Sequence, residues 1–332
     1  MLENLTALLI VVLGLALVFD YINGFHDTAN AIATSVSTRA LKPHQAIALS
    51  ATANFVGALT GTEVARTIGA GLVNQTDTNQ IVVAAALLGA IAWNLLTWRL
   101  GIPSSSSHAL IGGLLGATVA AAGTQAIIVD GVVGKVLVPL VSSPILGVVI
   151  GFFFMVVLLN AFQHAHPARL NERFRRLLVV SAAYMAFSHG SNDAQKTMGI
   201  MTLALVSAGV LEEFRVPLPV IIAAATAISL GTAAGGWRII RTMGQRVVKL
   251  DPVHGFAAET TAATIIFGAS SLGMPVSTTH VISSAIMGVG ASDRLSAVRW
   301  GVAGNIIMAW ILTIPASALV AAVSFVVLDL FL

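Results

Sequence analysis

The stretch GFHDTAN, residues 24 to 30, places a histidine, an aspartate and an asparagine inside a segment otherwise apolar enough to enter a bilayer. A second stretch, GSNDAQK at residues 190 to 196, repeats this arrangement 166 positions later. A charged side chain at the centre of a membrane helix costs about 2.5–3.5 kcal/mol on insertion scales. Two such clusters therefore predict partnered or functional groups inside a membrane.

The composition indicates an integral membrane protein. Of the 332 residues, 57% are hydrophobic and 9% charged, whereas soluble domains average about 25% charged residues. The mean hydropathy is +0.91, and apolar runs are long enough to cross about 30 Å of hydrocarbon as helices. We therefore predict an all-α polytopic membrane protein. The chain has no cysteine, which excludes disulfides and thiol chemistry.

The basic residues fall mostly on one side of the predicted membrane. Thirteen of the seventeen Lys and Arg residues lie in loops of one side: four in 163–176, four in 238–249, and Arg39, Lys42, Arg99, Arg294 and Arg299. The opposite loops hold Arg66, Lys135 and Arg215. By the positive-inside rule the basic side is cytoplasmic. This orientation predicts a multi-pass protein of the cytoplasmic (inner) membrane with both termini outside, and it explains the basic charge without a nucleic-acid partner.

Three pairs of strings recur in the same order along the chain. GFHDTAN pairs with GSNDAQK, RTIG (66–69) with RTMG (241–244), and LGIPSSSSH (100–108) with LGMPVSTTH (272–280), at offsets of 166, 175 and 172. Such ordered matches predict a duplication, with repeats at 1–162 and 177–332 and a basic cytoplasmic linker at 163–176. Common ancestry alone is the alternative explanation, and duplicated channels also exist.

The predicted crossings give each repeat an odd number of membrane segments. They lie near 5–36, 44–65, 80–99, 103–124 and 132–162, and near 177–210, 217–237, 254–272, 275–291 and 297–329. Five crossings per repeat invert the second half relative to the first, an architecture typical of secondary transporters with a site between the repeats. The long segment 5–36 and the short segment after Pro275 each suggest a hairpin or a broken helix.

Each aspartate signature begins with a glycine, which predicts a helix break at Asn23–Gly24 and at His189–Gly190. Unwound backbone at membrane depth must be buried in protein or line a wet cavity. We predict that Asp27 and Asp193 are ion-coupling residues, and the alternative is that each caps a restarted half-helix.

Amide side chains lie about one turn from each aspartate. Asn30 and Gln195 supply oxygens and N–H donors that suit either a hard cation or an oxyanion. Lys196 has no cationic counterpart in the first repeat, where Asn30 stands. A lysine at this depth should face a carboxylate or an anionic substrate.

The third string pair contains a proline followed by hydroxyl residues. Proline is tolerated in the first turn of a helix, and serine or threonine caps it. Free N–H groups at such a terminus bind anions, so two facing termini would hold a tetrahedral oxyanion. Small hydroxyl residues also serve as helix-packing positions in membranes. The candidate anion ligands are Ser104, Ser105, Ser106, Ser107, Ser277, Thr278 and Thr279, and we expect His108 and His280 to be buried structural residues.

In these motifs the sequence resembles the inorganic phosphate transporter (PiT) family over nearly its whole length. The family hallmark is a GxNDxxN-type signature once in each half, here GFHDTANAIAT and GSNDAQKTMG. The resemblance implies inverted repeats, an oligomer, and transport of orthophosphate, often as a neutral complex with a divalent cation, driven by protons or sodium ions.

The resemblance also implies roles for particular residues. Asp27, Asn30, Asn192 and Asp193 occupy signature positions implicated in ion and phosphate binding, and Asp27, Asn30 and Asp193 form a candidate cation site. The hydroxyl runs 104–107 and 277–279 correspond to phosphate ligands. His26 and Lys196 replace residues of the family pattern, which favours proton coupling because an imidazole and an ammonium replace cation-ligating oxygens. We predict His26 as a proton carrier.

The leading hypothesis is a secondary active phosphate symporter coupled to H+, which is not an enzyme and has no cofactor beyond the coupling cation. Its expected partners are inorganic phosphate, the lipid bilayer and further copies of the chain. Alternatives are a Na+-coupled phosphate symporter, a sulfate permease of the same fold, and a channel. An intramembrane hydrolase using Ser107–His108 or Thr279–His280 is disfavoured, since adjacent helical residues do not face each other.

Overall fold

The computed structural model describes residues 2–235, 242 and 250–331, and this part of the chain is helical without a strand. Short turns and 3-10 segments join the helices. We number them α1 (Leu2–Ser37), α2 (Pro43–Ala58), α3 (Glu63–Ala70), α4 (Gln80–Leu100), α5 (Ser106–Ala122), α6 (Val129–Ala161, with a π-helical stretch at Val133–Leu137), α7 (Pro167–Ser207), α8 (Leu218–Ala234), α9 (Pro252–Ser271), α10 (Thr278–Asp293) and α11 (Trp300–Phe331).

The predicted all-α membrane class is confirmed. Among the described residues, four helices are long and apolar enough to cross a membrane: Ala7–Ser37 within α1, α4, α6 and α11. The apolar helices α5 and α8 are shorter, at 17 residues each. The crossing predicted at 44–65 instead comprises α2 and α3, because residues 59–62 leave the helix.

The helices follow the same order in the two halves of the chain. The first residues of α4 and α9, and those of α5 and α10, are separated by the same 172 positions as the two hydroxyl runs. The duplication and its inverted orientation remain predictions. Most of the RTMG string, the Arg and Lys residues predicted in 238–249 and the end of the segment 217–237 lie outside the described residues.

The helix breaks predicted at Gly24 and Gly190 are wrong, because α1 and α7 run through both glycines. A methyl carbon added to Gly24 would lie 2.2 Å from the Ile228 carbonyl oxygen, and one added to Gly190 would lie 2.1 Å from that of Asn54. Both glycines therefore let two helix backbones touch, a common use of small residues in membranes.

We expect Gly24→Val to destabilise the protein by about 1–3 kcal/mol, the usual cost of overpacking, because the backbone of α8 blocks the new side chain. Gly14→Val, in the same helix, is the matched control, since nothing lies within 4 Å of its added carbon. Thermal unfolding of the purified protein in detergent measures both. Equal melting temperatures for the two variants would contradict this account of Gly24.

The backbone leaves the helix at the two hydroxyl runs, at residues 101–105 and 272–277. Gly101 (φ 68°) and Gly273 (φ 66°) each adopt a left-handed conformation where the preceding helix ends, which glycine does at no steric cost. The chain then continues extended into the protein, and Ser104, Ser105 and Ser277 are buried. The broken segments predicted for this fold thus lie at the hydroxyl runs, including the one after Pro275.

His254 links the start of α9 to the end of α10. His254 Nδ1 lies 2.7 Å from Asp251 Oδ1, and its Nε2 lies 2.9 Å from Asp293 Oδ2. Asp251 also caps the start of α9 by accepting hydrogen bonds from the backbone N–H groups of Val253 and His254. The start of α9 and the end of α10 therefore lie together, and the two helices form a hairpin linked through 272–277.

Candidate functional site

The hydroxyl runs begin two helices in the same way. Ser105 Oγ accepts a hydrogen bond from the His108 backbone N–H at 3.1 Å, and Ser277 Oγ accepts one from the His280 N–H at 3.2 Å. Serine is a favoured N-cap for this reason. The N-termini of α5 and α10 are thus built alike, with Ser106 and Thr278 as first helical residues.

The two helix N-termini lie close to each other. The rings of His108 and His280 make an edge contact with centroids 4.7 Å apart, and Ser107 Oγ donates to the Val276 carbonyl oxygen at 3.3 Å. Their backbone N–H groups therefore converge on one region, where the partial positive charge of both helix ends favours an anion.

Asp27 lies in this region on α1. His26 Nδ1 is 2.7 Å from Asp27 Oδ1, and the Ser106 hydroxyl donates to Oδ2 at 3.1 Å. Thr279 Oγ1 donates to Oδ1 at 3.4 Å. His26 Nε2 lies 3.1 Å from Thr97 Oγ1, so the imidazole is held at both nitrogens.

Asn30 connects α1 to the start of α10. Its Nδ2 donates to Thr279 Oγ1 at 2.9 Å and to Thr278 Oγ1 at 3.3 Å. Asn30 thus lies beside the hydroxyls, as expected of an anion-binding residue, and within the described part of the chain it makes no hydrogen bond to either aspartate.

Asp193 and Lys196 form an ion pair on α7. Lys196 Nζ lies 2.5 Å from Asp193 Oδ1 and donates to the Val276 carbonyl oxygen at 3.0 Å and to the Ser107 hydroxyl. Thr278 Oγ1 donates to Asp193 Oδ2 at 3.4 Å. Lys196 therefore faces a carboxylate, one of its two predicted environments, and contacts Ser107 of the first hydroxyl run and Val276, the residue before the second.

His189, which sequence reasoning did not assign to the site, lies between the two aspartates. Its Nε2 is 3.3 Å from Asp193 Oδ2 and 4.0 Å from Asp27 Oδ2, while its Nδ1 is 3.0 Å from Asn54 Oδ1. One ligand atom each from Asp27, His189 and Asp193 lie within 4.8 Å of one another, a spacing that could hold a metal ion. Its position four residues before Asp193, hence on the same helix face, was the available signal.

Two predicted ligands, Gln195 and Asn192, hydrogen-bond to neighbouring segments of the protein. Gln195 Oε1 accepts the Val64 backbone N–H at 2.8 Å near the start of α3, and its Nε2 donates to the Ser191 carbonyl at 2.6 Å. Both ends of the Gln195 amide thus bind backbone in this structure, and its role in substrate binding stays a prediction. Asn192 Nδ2 donates to Ser270 Oγ at 2.8 Å and to the Met274 carbonyl at 3.2 Å, so Asn192 anchors the link between α9 and α10.

Ser104 contacts the site through His26 and Thr97. Its hydroxyl donates to Thr97 Oγ1 at 2.8 Å and lies 3.5 Å from His26 Nε2. Ser104 therefore contacts the imidazole of His26, on the side opposite Asp27, and helps to fix its orientation.

A further buried carboxyl group, Glu259 on α9, was also missed. It is 0% exposed and accepts hydrogen bonds from the hydroxyls of Ser181, at 2.6 Å, and Thr34. Glu259 thus joins α1, α7 and α9 near the site. A glutamate in an apolar segment between known motifs was the only sequence signal, and the repeats gave it no counterpart.

The central side chains are closed off from solvent. Asp27, Asp193, His26, His189, Lys196, Asn30 and the hydroxyl residues 104–107 and 277–279 are each at most 2% exposed. Ionisable groups at this depth mark ion or substrate pathways. A buried, charged site beside two interruptions in the helices is typical of membrane transporters. We therefore assign the protein to this class.

Comparison of the chain with known protein families agrees with this class. The model of the phosphate transporter family matches residues 23–321, so the chain belongs to that family and the resemblance seen in the signatures is confirmed. The protein is therefore a membrane-embedded phosphate transporter and not an enzyme, and the hydrolase alternative is wrong.

Relatives of nearly the same length support this assignment. The chain is 49% identical over 331 residues to a probable low-affinity inorganic phosphate transporter of Bacillus subtilis (strain 168), covering 99% of each chain. It is 49% identical over 325 residues to one of Rhizobium meliloti (strain 1021), covering 97% of each. A solved structure titled "The sodium-dependent phosphate transporter" matches with a TM-score of 0.86 and 26% identity, covering 98% of this chain and 100% of that one.

Proposed function

We propose that the protein takes up inorganic phosphate across the cytoplasmic membrane by symport with a proton. The Lys196–Asp193 ion pair carries this proposal. An ammonium 2.5 Å from Asp193 balances the charge that a sodium ion would otherwise balance there. The occupied position leaves less room for metal cations and favours proton coupling.

Phosphate fits the geometry of the remaining groups. The N-termini of α5 and α10 and the hydroxyls of Ser106, Ser107, Thr278 and Thr279 supply neutral donors for an oxyanion. Monohydrogen phosphate can also donate its P–OH proton to ionised Asp27, whereas the sulfate dianion has no proton to give. An unpaired charge would then oppose sulfate, and this disfavours the sulfate-permease alternative.

Sodium coupling is the second candidate, and two observations favour it. The solved relative is sodium-dependent by its title, and Asp27, His189 and Asp193 converge closely enough for a cation, with or without phosphate as a metal complex. Asn30, the third member of the predicted cation site, contacts hydroxyls instead.

The proposal includes a membrane arrangement. We expect two inverted repeats, both termini outside, the basic linker 163–176 in the cytoplasm, surrounding lipid and a homo-oligomer. Because the chain has no native cysteine, single-cysteine labelling from either side of sealed vesicles tests the orientation directly.

Phosphate and sulfate uptake into proteoliposomes tests the function. We expect accumulation of phosphate under an inward proton gradient without sodium, a preference for phosphate over sulfate, and faster exchange than net flux. Accumulation by counterflow excludes a channel. Strict sodium dependence without any response to a proton gradient would overturn proton coupling and leave phosphate transport intact.

In the same assay Lys196→Asn should weaken proton-driven uptake, because Asp193 and the Ser107 hydroxyl lose their donor. We expect the variant to gain a sodium response, since the asparagine oxygen and the freed carboxylate offer cation ligands. Lys135→Asn is the control, because this half-buried lysine lies outside the site and hydrogen-bonds only to the Leu272 carbonyl among the described residues. A Lys196→Asn variant with wild-type ion dependence would show that the ammonium does not set the coupling ion.

A further inference from the structure

Asp20 is a buried carboxyl group that the site described above does not use. It lies on α1 within the apolar segment Ala7–Ser37 and is 0% exposed. Neither carboxylate oxygen has a hydrogen-bond partner among the residues that the structure describes. A charged carboxylate without partners is costly in such surroundings, so a buried acid of this kind is held neutral by a bound proton or balanced by a bound cation.

Asp20 lies on the same face of α1 as Asp27. Their separation of seven positions makes about two helical turns, or about 10 Å along the axis. Thr197 on α7 lies beside Asp20, but its hydroxyl makes no hydrogen bond of normal geometry to Asp20 or to any other described residue. The central site and Asp20 thus line the same α1–α7 boundary, with Asp20 nearer the end of α1 that the charge distribution predicts to lie outside.

The charged groups that act most strongly on Asp20 belong to α7. They are Asp193, His189 and Lys196, the groups that hold the ion pair and link the two signature aspartates. The other helices packed beside this part of α1 add little charge: α8 has no ionisable residue, and α4 has only Arg99, in its last turn. The charge state of Asp20 is therefore coupled to the central site and to little else in the described structure.

A proton fits Asp20 better than a metal ion does. A hard metal cation takes about six or more oxygen ligands in proteins, whereas the side-chain oxygens that the described residues place beside this carboxyl group are those of Thr197 and, three residues along α1, Asn23. A proton needs one carboxylate oxygen and removes the charge that burial disfavours.

We infer that Asp20 binds the proton that drives transport. The inference rests on the proposed proton symport and names the residue responsible. Asp20 takes up a proton from outside water when the site is open, stays protonated while the site is closed, and releases it on the cytoplasmic side. His26, held between Asp27 and Thr97, then orients Asp27 instead of carrying the coupling proton.

The test compares Asp20→Asn with wild type in proteoliposomes. Asparagine keeps the shape of a protonated carboxyl group but cannot release a proton. We expect proton-driven phosphate accumulation to fall at least tenfold, while phosphate exchange at equal pH stays within threefold of wild type. Asp130→Asn, at an exposed carboxyl group, should change neither rate, and Asp20→Glu should restore accumulation.

A chemical probe covers the case in which the variant loses all activity. Dicyclohexylcarbodiimide attacks protonated carboxyl groups in apolar surroundings, so it should modify Asp20 in the wild-type protein at neutral pH, and phosphate should change the rate. Peptide mass spectrometry reads the adduct. Unaltered accumulation by Asp20→Asn, or absence of the adduct, overturns the inference. A wild-type protein that ignores the proton gradient while transporting phosphate overturns the proposed proton coupling itself.

Discussion

Asp193→Asn is expected to reduce driven phosphate uptake at least a hundredfold. The substitution removes the carboxylate 2.5 Å from Lys196 Nζ and leaves an ammonium buried without its counter-ion. Removing one member of a buried ion pair costs about 3–5 kcal/mol, which is enough to disrupt the closed site. Uptake of labelled phosphate into proteoliposomes measures the effect, after size-exclusion chromatography confirms that the protein is folded.

Matched variants separate charge balance from ion binding. Asp27→Asn should also abolish driven uptake, since the negative charge is lost and only one of the two oxygens that contact His26 and Ser106 remains. Asp77→Asn, at an exposed carboxyl group, should leave uptake unchanged. Asp193→Asn combined with Lys196→Asn removes both charges, and we expect it to restore stability without restoring proton-driven accumulation. Near-normal accumulation by either single variant would refute the role of these aspartates in coupling.

Replacing Thr278 and Thr279 with alanine should weaken apparent phosphate affinity at least tenfold. Each hydroxyl is a neutral donor, and a hydrogen bond to a charged group is worth about 1.5–3 kcal/mol, whereas tenfold in affinity requires only about 1.4 kcal/mol. Ser277, which caps α10, stays in place, so the helix start is preserved. The dependence of uptake rate on phosphate concentration measures the change.

The equivalent substitution in the first half of the chain is a less specific test of phosphate binding. Ser105→Ala with Ser106→Ala should weaken affinity similarly, but it also removes the cap of α5 and costs about 1 kcal/mol of stability. Thr264→Ala is the control, because this exposed threonine bonds only to the Thr260 carbonyl of its own helix among the described contacts. Transport parameters within twofold of wild type in the Thr278/Thr279 variant would indicate packing residues.

The fold class and much of the site were predictable because they depend on local patterns. Long apolar runs require helices in a bilayer, and a proline followed by serines marks a helix start wherever it occurs. Pairing of the strings at constant offsets also indicated which residues should meet, and the hydroxyl runs do lie beside Asp27 and Asp193.

The remaining features depend on which surfaces face each other, and sequence alone does not contain that information. Gly24 suggests a break by its local preference, but the helix continues because α8 packs against its backbone. Gln195 has suitable chemistry for a ligand, yet its side-chain oxygen accepts a hydrogen bond from the Val64 backbone N–H near the start of α3. His189, Glu259 and Asp20 lie outside the paired motifs, and only the packing of α7 and α9 against α1 gives them significance.

The unbroken course of α1 and α7 constrains how the carrier can move. At 36 and 41 residues they extend about 54 and 62 Å, which is longer than the hydrocarbon core of a bilayer is thick. Each is a continuous helix that carries a signature aspartate, Asp27 or Asp193, partway along its length. A helix without a kink or an unwound turn has no internal point at which it bends easily. We therefore expect any bending that opens the site to either side of the membrane to occur at the extended stretches 101–105 and 272–277.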